Sequence, residues 1–140
     1  MNVARLLIPK CKVAFIIENS TIRQGIEKIK YHGYTAIPVI NEAGEYVGTV
    51  SEGDFLWHIL KKGIKNIEEE KSITVKDILN KNKSKSIKIN TPVDELLILV
   101  MDQNFVVVTD DRGIFMGIIT RRDIIKFYYD KQQHLKKYNK

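Results

Sequence analysis

The chain has 140 residues, 44% hydrophobic and 29% charged, which suits one compact domain or two small ones and argues against general disorder. Folding at this length removes roughly 68–70% of the unfolded chain's surface from water, enough for a real core. No apolar run approaches the ~18 residues of a membrane span, and the N-terminus lacks a small-residue cleavage pattern, so neither a membrane anchor nor a signal peptide is expected. The formal charge of +6 permits nucleic acid or a small anion as partner. Few aromatics interleave with the basic clusters at Lys61–Lys65, Lys81–Lys88 and Lys131–Lys140, so a stacking platform for single strands is not indicated. Cys11 is the only cysteine, which fits a reducing cytoplasm.

In chain order, Val3–Ile8 is a short lead-in and Val13–Ile17 a short apolar strand. Ser20 or Thr21 caps a helix with apolar positions Ile22, Ile26 and Ile29, and Gly33 stops it. Ala36–Ile40 is a buried strand in which Pro38 signals a sheet edge or an irregularity. Asn41–Gly44 is a hairpin turn and Tyr46–Ser51 the returning strand. Phe55, Leu56, Ile59 and Leu60 mark a helix ending near Gly63. Val75–Leu79 is a helical lead-in comparable to Val3–Ile8. A helix is expected from about Pro92, at its first turn, to Gln103. Phe105–Thr109 is a strand, Asp110–Gly113 a turn and Ile114–Thr120 the returning strand, with a long helix from about Arg122 into the tail.

These elements repeat. Gly48-Thr49-Val50-Ser51-Glu52-Gly53-Asp54 and Gly117-Ile118-Ile119-Thr120-Arg121-Arg122-Asp123 share the pattern Gly-x-aliphatic-Ser/Thr-x-x-Asp at an offset of 69 residues. Gly44 and Gly113 keep the same offset, whereas Asn19-Ser20-Thr21-Ile22 matches Asn90-Thr91-Pro92-Val93 at 71. A duplication of this length implies a repeated domain, with residues 1–63 and 74–140 as the copies and 64–73 as the linker. The fold class is α/β or α+β, built from two pseudo-symmetric β-α-β-β-α units.

Ser/Thr-x-x-Asp at a strand-to-helix junction can be only a capping box. Two instances at the same repeat position favour a second role. The backbone N–H groups and helix dipole there attract anions, a hydroxyl meets phosphate or sugar oxygen, and a carboxylate accepts from ribose hydroxyls. Two cations at one helix start, Arg121 and Arg122, oppose the dipole and suggest an anion nearby.

Gly33-Tyr34-Thr35-Ala36-Ile37-Pro38-Val39, followed by the two glycine-led junction motifs, resembles the CBS domain over nearly the whole chain. The resemblance implies a CBS pair (a Bateman module) that binds adenosine-containing ligands in two clefts between the copies. Lys12-Val13-Ala14, Asn104-Phe105-Val106 and Thr120-Arg121-Arg122 add a likeness to the small stand-alone CBS proteins that bind cyclic di-AMP, the DarB/CbpB type. On that likeness Lys12, Arg121 and Arg122 meet phosphate, Thr120 and Asp123 meet phosphate or ribose, and Val13, Ala14 and Phe15 with Tyr34, Thr35, Ala36, Ile37 and Pro38 surround the base. Asp123 suits the free cis-diol of AMP or ATP as well as the single free ribose hydroxyl of cyclic di-AMP, so those mononucleotides are the alternative. A weaker second cleft would use Ser51, Asp54 and Phe105, because Glu52 repels phosphate and Val107 stands where the first copy has Pro38.

No catalytic constellation is expected. His32, His58 and His134 are scattered without metal-ligand spacing, and no glycine-rich phosphate loop or nucleophile elbow occurs. No cofactor or metal is expected. A cytoplasmic homodimer joined through the helices around Phe55–Leu60 and Ile124–Tyr128 follows from the resemblance, as does a protein target engaged mainly without ligand. Nucleic-acid binding, or a pure interaction module with vestigial clefts, are the competing readings.

Overall fold

The computed structural model describes residues 3–62, 73–79 and 85–138. The linker expected at 64–73 lies, apart from Ile73, outside the described residues. Two 3-10 turns (Val3–Leu6 and Lys10–Lys12) flank β1 (Ile8–Pro9), and β2 is Ile16–Ile17. Then come α1 (Ile22–His32), β3 (Ala36–Ile40), β4 (Tyr46–Ser51), α2 (Glu52–Lys62) and α3 (Val75–Ile78). The second copy supplies β5 (Ser86–Lys88), α4 (Val93–Leu99), β6 (Phe105–Thr109), β7 (Phe115–Thr120) and α5 (Arg121–Tyr138). This is the expected mixed α and β fold with two related halves.

The chain forms two compact units, each drawn from both copies. One comprises described residues of Met1–Val13, Lys85–Asp111 and Met116–Lys140. Its sheet runs β1-β7-β6-β5, with β5 parallel to β6 and β1 antiparallel to β7. Val3, Val93, Leu96, Val106, Val108, Ile119 and Ile124 are buried together in its core. The other unit comprises described residues of Ala14–Ser84 and Arg112–Phe115. Its sheet runs β2-β3-β4, and Ile16, Ile22, Ile37, Val39, Val50, Phe55 and Val75 fill its core. The two lead-ins are therefore exchanged. Val3, at the start of the first copy, is buried among second-copy residues, and Val75, at the start of the second copy, among first-copy residues; both are 0% exposed. At roughly 25 cal/mol per Å2 of apolar surface, each buried valine contributes about 1.5–3 kcal/mol to a core outside its own repeat.

Local signals explain most boundaries. Thr21 caps α1 in a reciprocal capping box with Gln24, and Gly33 ends it in the left-handed conformation at φ 68°. Side chains in β7 alternate, with Phe115, Gly117 and Ile119 buried between half-buried neighbours.

Two expectations need correction, and one pair of alternatives is decided. The strand expected at Val13–Ile17 shrinks to Ile16–Ile17, because only these residues pair with Val39 and Ile40 of β3. Of the two readings of Pro38, the irregularity holds and the edge does not: β3 is central in its sheet, and its register with β4 shifts between Val39 and Ile40. Among the described residues β4 is the one strand beside Pro38 itself, because β2 reaches only Val39 and Ile40. A proline without an N–H is tolerated where one side of the strand carries no ladder. Finally, α4 ends at Leu99 and not Gln103, and Pro92 is its N-cap at ψ 144° and not its first turn. Beyond buried Val100, Met101 is 77% exposed and Asp102 is exposed, so these two residues supply no core contact to extend the helix. The N–H groups of Asp102 and Gln103 instead turn back to the Leu99 carbonyl.

Candidate functional site

Each repeat passes from strand to helix without an intervening residue, at Ser51–Glu52 and at Thr120–Arg121. The first helical N–H is donated to equivalent carbonyls, Glu52 N to Thr35 O and Arg121 N to Asn104 O, both at 2.9 Å. From there the junctions diverge. In the first copy Ser51 N donates to Asp54 Oδ2 at 2.8 Å and Asp54 N to Ser51 Oγ at 3.2 Å, a capping box closed on itself. In the second copy Asp123 N donates to Thr120 Oγ1 at 3.1 Å, and among the described residues no hydrogen bond engages the Asp123 carboxylate. The Thr120 hydroxyl proton and the Asp123 carboxylate are thus one donor and one acceptor at the start of an 18-residue helix.

The two arginines also differ. The Arg121 side chain turns away from its own helix: Nε donates to Val100 O at 2.6 Å and Nη2 to Met101 O at 3.5 Å. These carbonyls follow the C-terminus of α4, the negative end of its dipole, where a cation is favourable. Arg122 is exposed and makes no hydrogen bond or ion pair among the described residues. The dipole argument for a nearby anion therefore rests on Arg122, since Arg121 already has its counter-charge.

Lys12 is exposed and lies in the same unit as Thr120–Asp123. The β1–β7 register carries the chain from Ile8, opposite Ile118, to Pro9, opposite Gly117, so Lys10–Lys12 follows in the direction away from Thr120. No hydrogen bond among the described residues joins Lys12 to the junction. Val13, Ala14 and Phe15 are half-buried irregular chain. Phe15 packs edge-on against Phe115 at 5.9 Å, and Lys28 Nζ lies 5.3 Å from its ring centroid.

Tyr34 and Thr35 are exposed and Ala36 half-buried, while Ile37 is fully buried and Pro38 buried. Ile37 therefore packs its side chain into the core, Pro38 is buried on the opposite face of the strand, and the pair offers a ligand mainly backbone. The ring of His32 stacks on that of Tyr34, with centroids 5.4 Å apart and planes within 7°. One face of Tyr34 is thus already covered, a pairing the sequence reading missed because it weighed His32 only as a metal ligand. Phe105, the first residue of β6, is half-buried. Beside the closed Ser51–Asp54 box lies a concavity of about 540 Å3 bordered by Asp54, Trp57, His58, Lys61, Asp77 and Leu79.

Two further ties went unforeseen. The Tyr128 hydroxyl on α5 donates to Asp94 Oδ1 on α4 at 2.8 Å. Burial first, then this hydrogen bond and the carboxylate's charge, raise the Tyr128 pKa above its ordinary value of 10.0. The Arg121–Val100 bond had one visible signal: the glycine that stops α1, Gly33, is replaced by Asp102 at the 69-residue offset. Among the described residues no group of three or more His, Cys, Asp or Glu could hold a metal ion, and no helix is long and apolar enough to cross a membrane.

Comparison with known proteins shows the family. Cyclic di-AMP receptor B of Bacillus subtilis (strain 168) is 29% identical over 141 residues, covering 99% of this chain and 92% of that protein. The CbpB protein of Listeria monocytogenes, solved in complex with c-di-AMP, superposes with a TM-score of 0.81 at 26% identity, covering 95% of this chain and 98% of that one. A further CbpB complex with c-di-AMP shares the fold at a TM-score of 0.88 and 22% identity, covering 99% and 91%. The CBS domain family matches residues 3–61 and 75–130, one match in each repeat. The chain belongs to the CBS domain family, with two CBS domains in tandem.

Proposed function

We propose that this protein is a non-catalytic adenine-nucleotide sensor, a cyclic di-AMP receptor that controls a protein target. The observation that carries the reading is the end-to-end similarity to a cyclic di-AMP receptor, at 29% identity over 99% of the chain. The second junction supports it chemically. Arg122 meets phosphate, the Thr120 hydroxyl meets phosphate or ribose oxygen, and the unengaged Asp123 carboxylate accepts from a ribose hydroxyl. Val13–Phe15 and Tyr34–Ala36 serve the base, with Ile37 and Pro38 contributing backbone and Lys12 adding charge. Ser51, Asp54 and Phe105 make a weaker second site, since the closed capping box has already used the Asp54 carboxylate.

AMP or ATP is the second reading, favoured by one observation: an unengaged Asp123 fits a free cis-diol. Calorimetric titration with cyclic di-AMP, AMP, ADP and ATP side by side decides between them. Cyclic di-AMP should bind most tightly. Mononucleotides bound tenfold better would transfer the assignment to them, and no binding at all would leave an interaction module. Arg122→Met should weaken binding by about 1.5–3 kcal/mol, the scale of hydrogen bonds to charged groups.

The protein works in the cytoplasm as a homodimer, and the ligand-free form engages the target. An apolar groove of about 380 Å3 between α1 and α2, lined by Ile26, Ile29, Tyr34, Phe55, Leu56 and Ile59, supports the helix-mediated dimer. Light scattering at micromolar concentration should give twice the chain mass; a monomer refutes the dimer.

A further inference from the structure

We infer that Arg121 is a positioning residue that holds the ligand junction in place through the end of α4, and is not itself the phosphate grip. The inference rests on the nucleotide-binding reading above. Its basis is a substitution of one cap for another between the repeats. Helix α1 ends on Gly33 in the left-handed conformation, whose N–H closes on Ile29 O. At the same offset α4 has Asp102, and no residue other than glycine in the described chain has positive φ. The chain therefore leaves α4 without a glycine-type cap, and the carbonyls of Val100 and Met101 that follow its last turn need donors. Arg121 supplies them, from Nε to Val100 O and from Nη2 to Met101 O. The counterpart of Arg121 in the first copy is Glu52, which cannot donate and has no such task.

The geometry makes this a clamp on the junction. The Arg121 backbone N–H is bonded to Asn104 O, and its side chain to Val100 O, so one residue fixes both ends of the 100–104 turn to the first residue of α5. Thr120 precedes it and Asp123 follows by two. Releasing the guanidinium frees the turn and loosens the alignment of the Thr120 hydroxyl with the Asp123 carboxylate. Arg122, exposed and unpaired among the described residues, is left as the phosphate contact.

The test compares full-length wild type, Arg121→Met and Arg122→Met in cyclic di-AMP titrations across a range of salt, with amide hydrogen exchange on each ligand-free protein. A lost phosphate contact flattens the salt dependence of affinity, because ionic screening acts on the charge pair. Arg122→Met should weaken binding and flatten that dependence. Arg121→Met should weaken binding about five- to thirtyfold with the salt dependence kept, and exchange at Met101–Asn104 should accelerate at least tenfold. A flattened salt dependence in Arg121→Met would make it a direct phosphate ligand and overturn the inference. So would unchanged exchange at Met101–Asn104. If wild type binds no cyclic di-AMP, the functional reading fails, and the exchange arm alone still decides whether Arg121 clamps the turn.

Discussion

Truncating the two junction aspartates should separate stability from binding. Asp54→Ala removes the acceptor of the Ser51 N–H, a bond of 2.8 Å, and takes a negative charge from the first turn of α2. A net hydrogen bond contributes about 0.5–1.5 kcal/mol and a charge at a helix N-terminus about 0.3–1 kcal/mol. The expected loss is therefore about 1–2 kcal/mol, or roughly 3–8 °C in Tm for a domain of this size. Asp123→Ala breaks no hydrogen bond of its carboxylate among the described residues, because the Thr120–Asp123 bond runs from the Asp123 backbone N to Thr120 Oγ1. Only the dipole contribution is lost, so Tm should fall by about 1–4 °C. Binding should invert the order. An acceptor that holds a ribose hydroxyl contributes about 1.5–3 kcal/mol, so Asp123→Ala should weaken nucleotide binding roughly 10–150-fold. Asp54→Ala should leave the tight site within about twofold. Differential scanning calorimetry and titration calorimetry on the same preparations read both effects. If Asp123→Ala lowered Tm as far as Asp54→Ala and left affinity unchanged, both junctions would be helix caps and nothing more.

Gly117→Ala should destabilise by about 1–3 kcal/mol more than Gly48→Ala in denaturant titration. Both glycines have φ 152°, but a Cβ on Gly117 collides with the Ile8 carbonyl oxygen in the β1 backbone, whereas on Gly48 it meets only the Leu79 side chain, at 3.0 Å. Equal losses would show that β1 yields as easily as a side chain. The raised pKa of Tyr128 makes its contribution fully present below pH ~10 and lost as pH climbs through the folded-state value, since deprotonation then favours the unfolded chain. Tm measured from pH 8 to 11 should therefore fall more steeply for wild type than for Tyr128→Phe, and parallel curves would refute the link. In hydrogen exchange, nucleotide should raise protection at Thr120–Phe127 and, through the Arg121 and Tyr128 ties, at Val93–Asn104 as well. A rise confined to Thr120–Phe127 would mean that α4 and α5 respond separately.

The elements were legible wherever a local signal decided them. Ala36–Ile40, Tyr46–Ser51 and Phe105–Thr109 fall where alternation and flanking turns place them, and Gly33 ends α1 because no other residue adopts its backbone so cheaply. Misplaced boundaries came where a long-range partner set the limit. The length of β2 depends on which residues of β3 it reaches, and the end of α4 depends on an arginine 21 residues further along the chain. Burial of Ile37 and Pro38 beside exposed Tyr34 and Thr35 was equally invisible to a motif, because a motif names residues and not the direction in which they point. The exchange of Val3 and Val75 between cores has no local signature at all, since either valine would suit either core.

The duplicated junction shows how a symmetric frame acquires one distinctive end. Three differences fall together in the second copy: Asp102 for Gly33, Arg121 for Glu52, and an open Thr120–Asp123 pair for the closed Ser51–Asp54 box. They are physically linked. Without a glycine cap, α4 needs a donor at its end, and an arginine at the first position of α5 supplies it while pinning the junction. An arginine there would be unfavourable at the helix N-terminus, but its guanidinium lies at the opposite pole of a different helix. With the turn pinned from outside, the second junction does not rely on an Asp123 bond to hold its geometry, and the carboxylate stays available to a ligand. A ligand shifts an equilibrium only through different affinity for two states. The bonds from Arg121 to the turn after α4 and from Tyr128 to α4 itself tie the two helices at two points, so under the proposed reading a nucleotide held by Thr120, Arg122 and Asp123 would order a helix pair and not a single side chain. Coupling of about 1–3 kcal/mol, a 5–150-fold change in target affinity, is within reach of that arrangement.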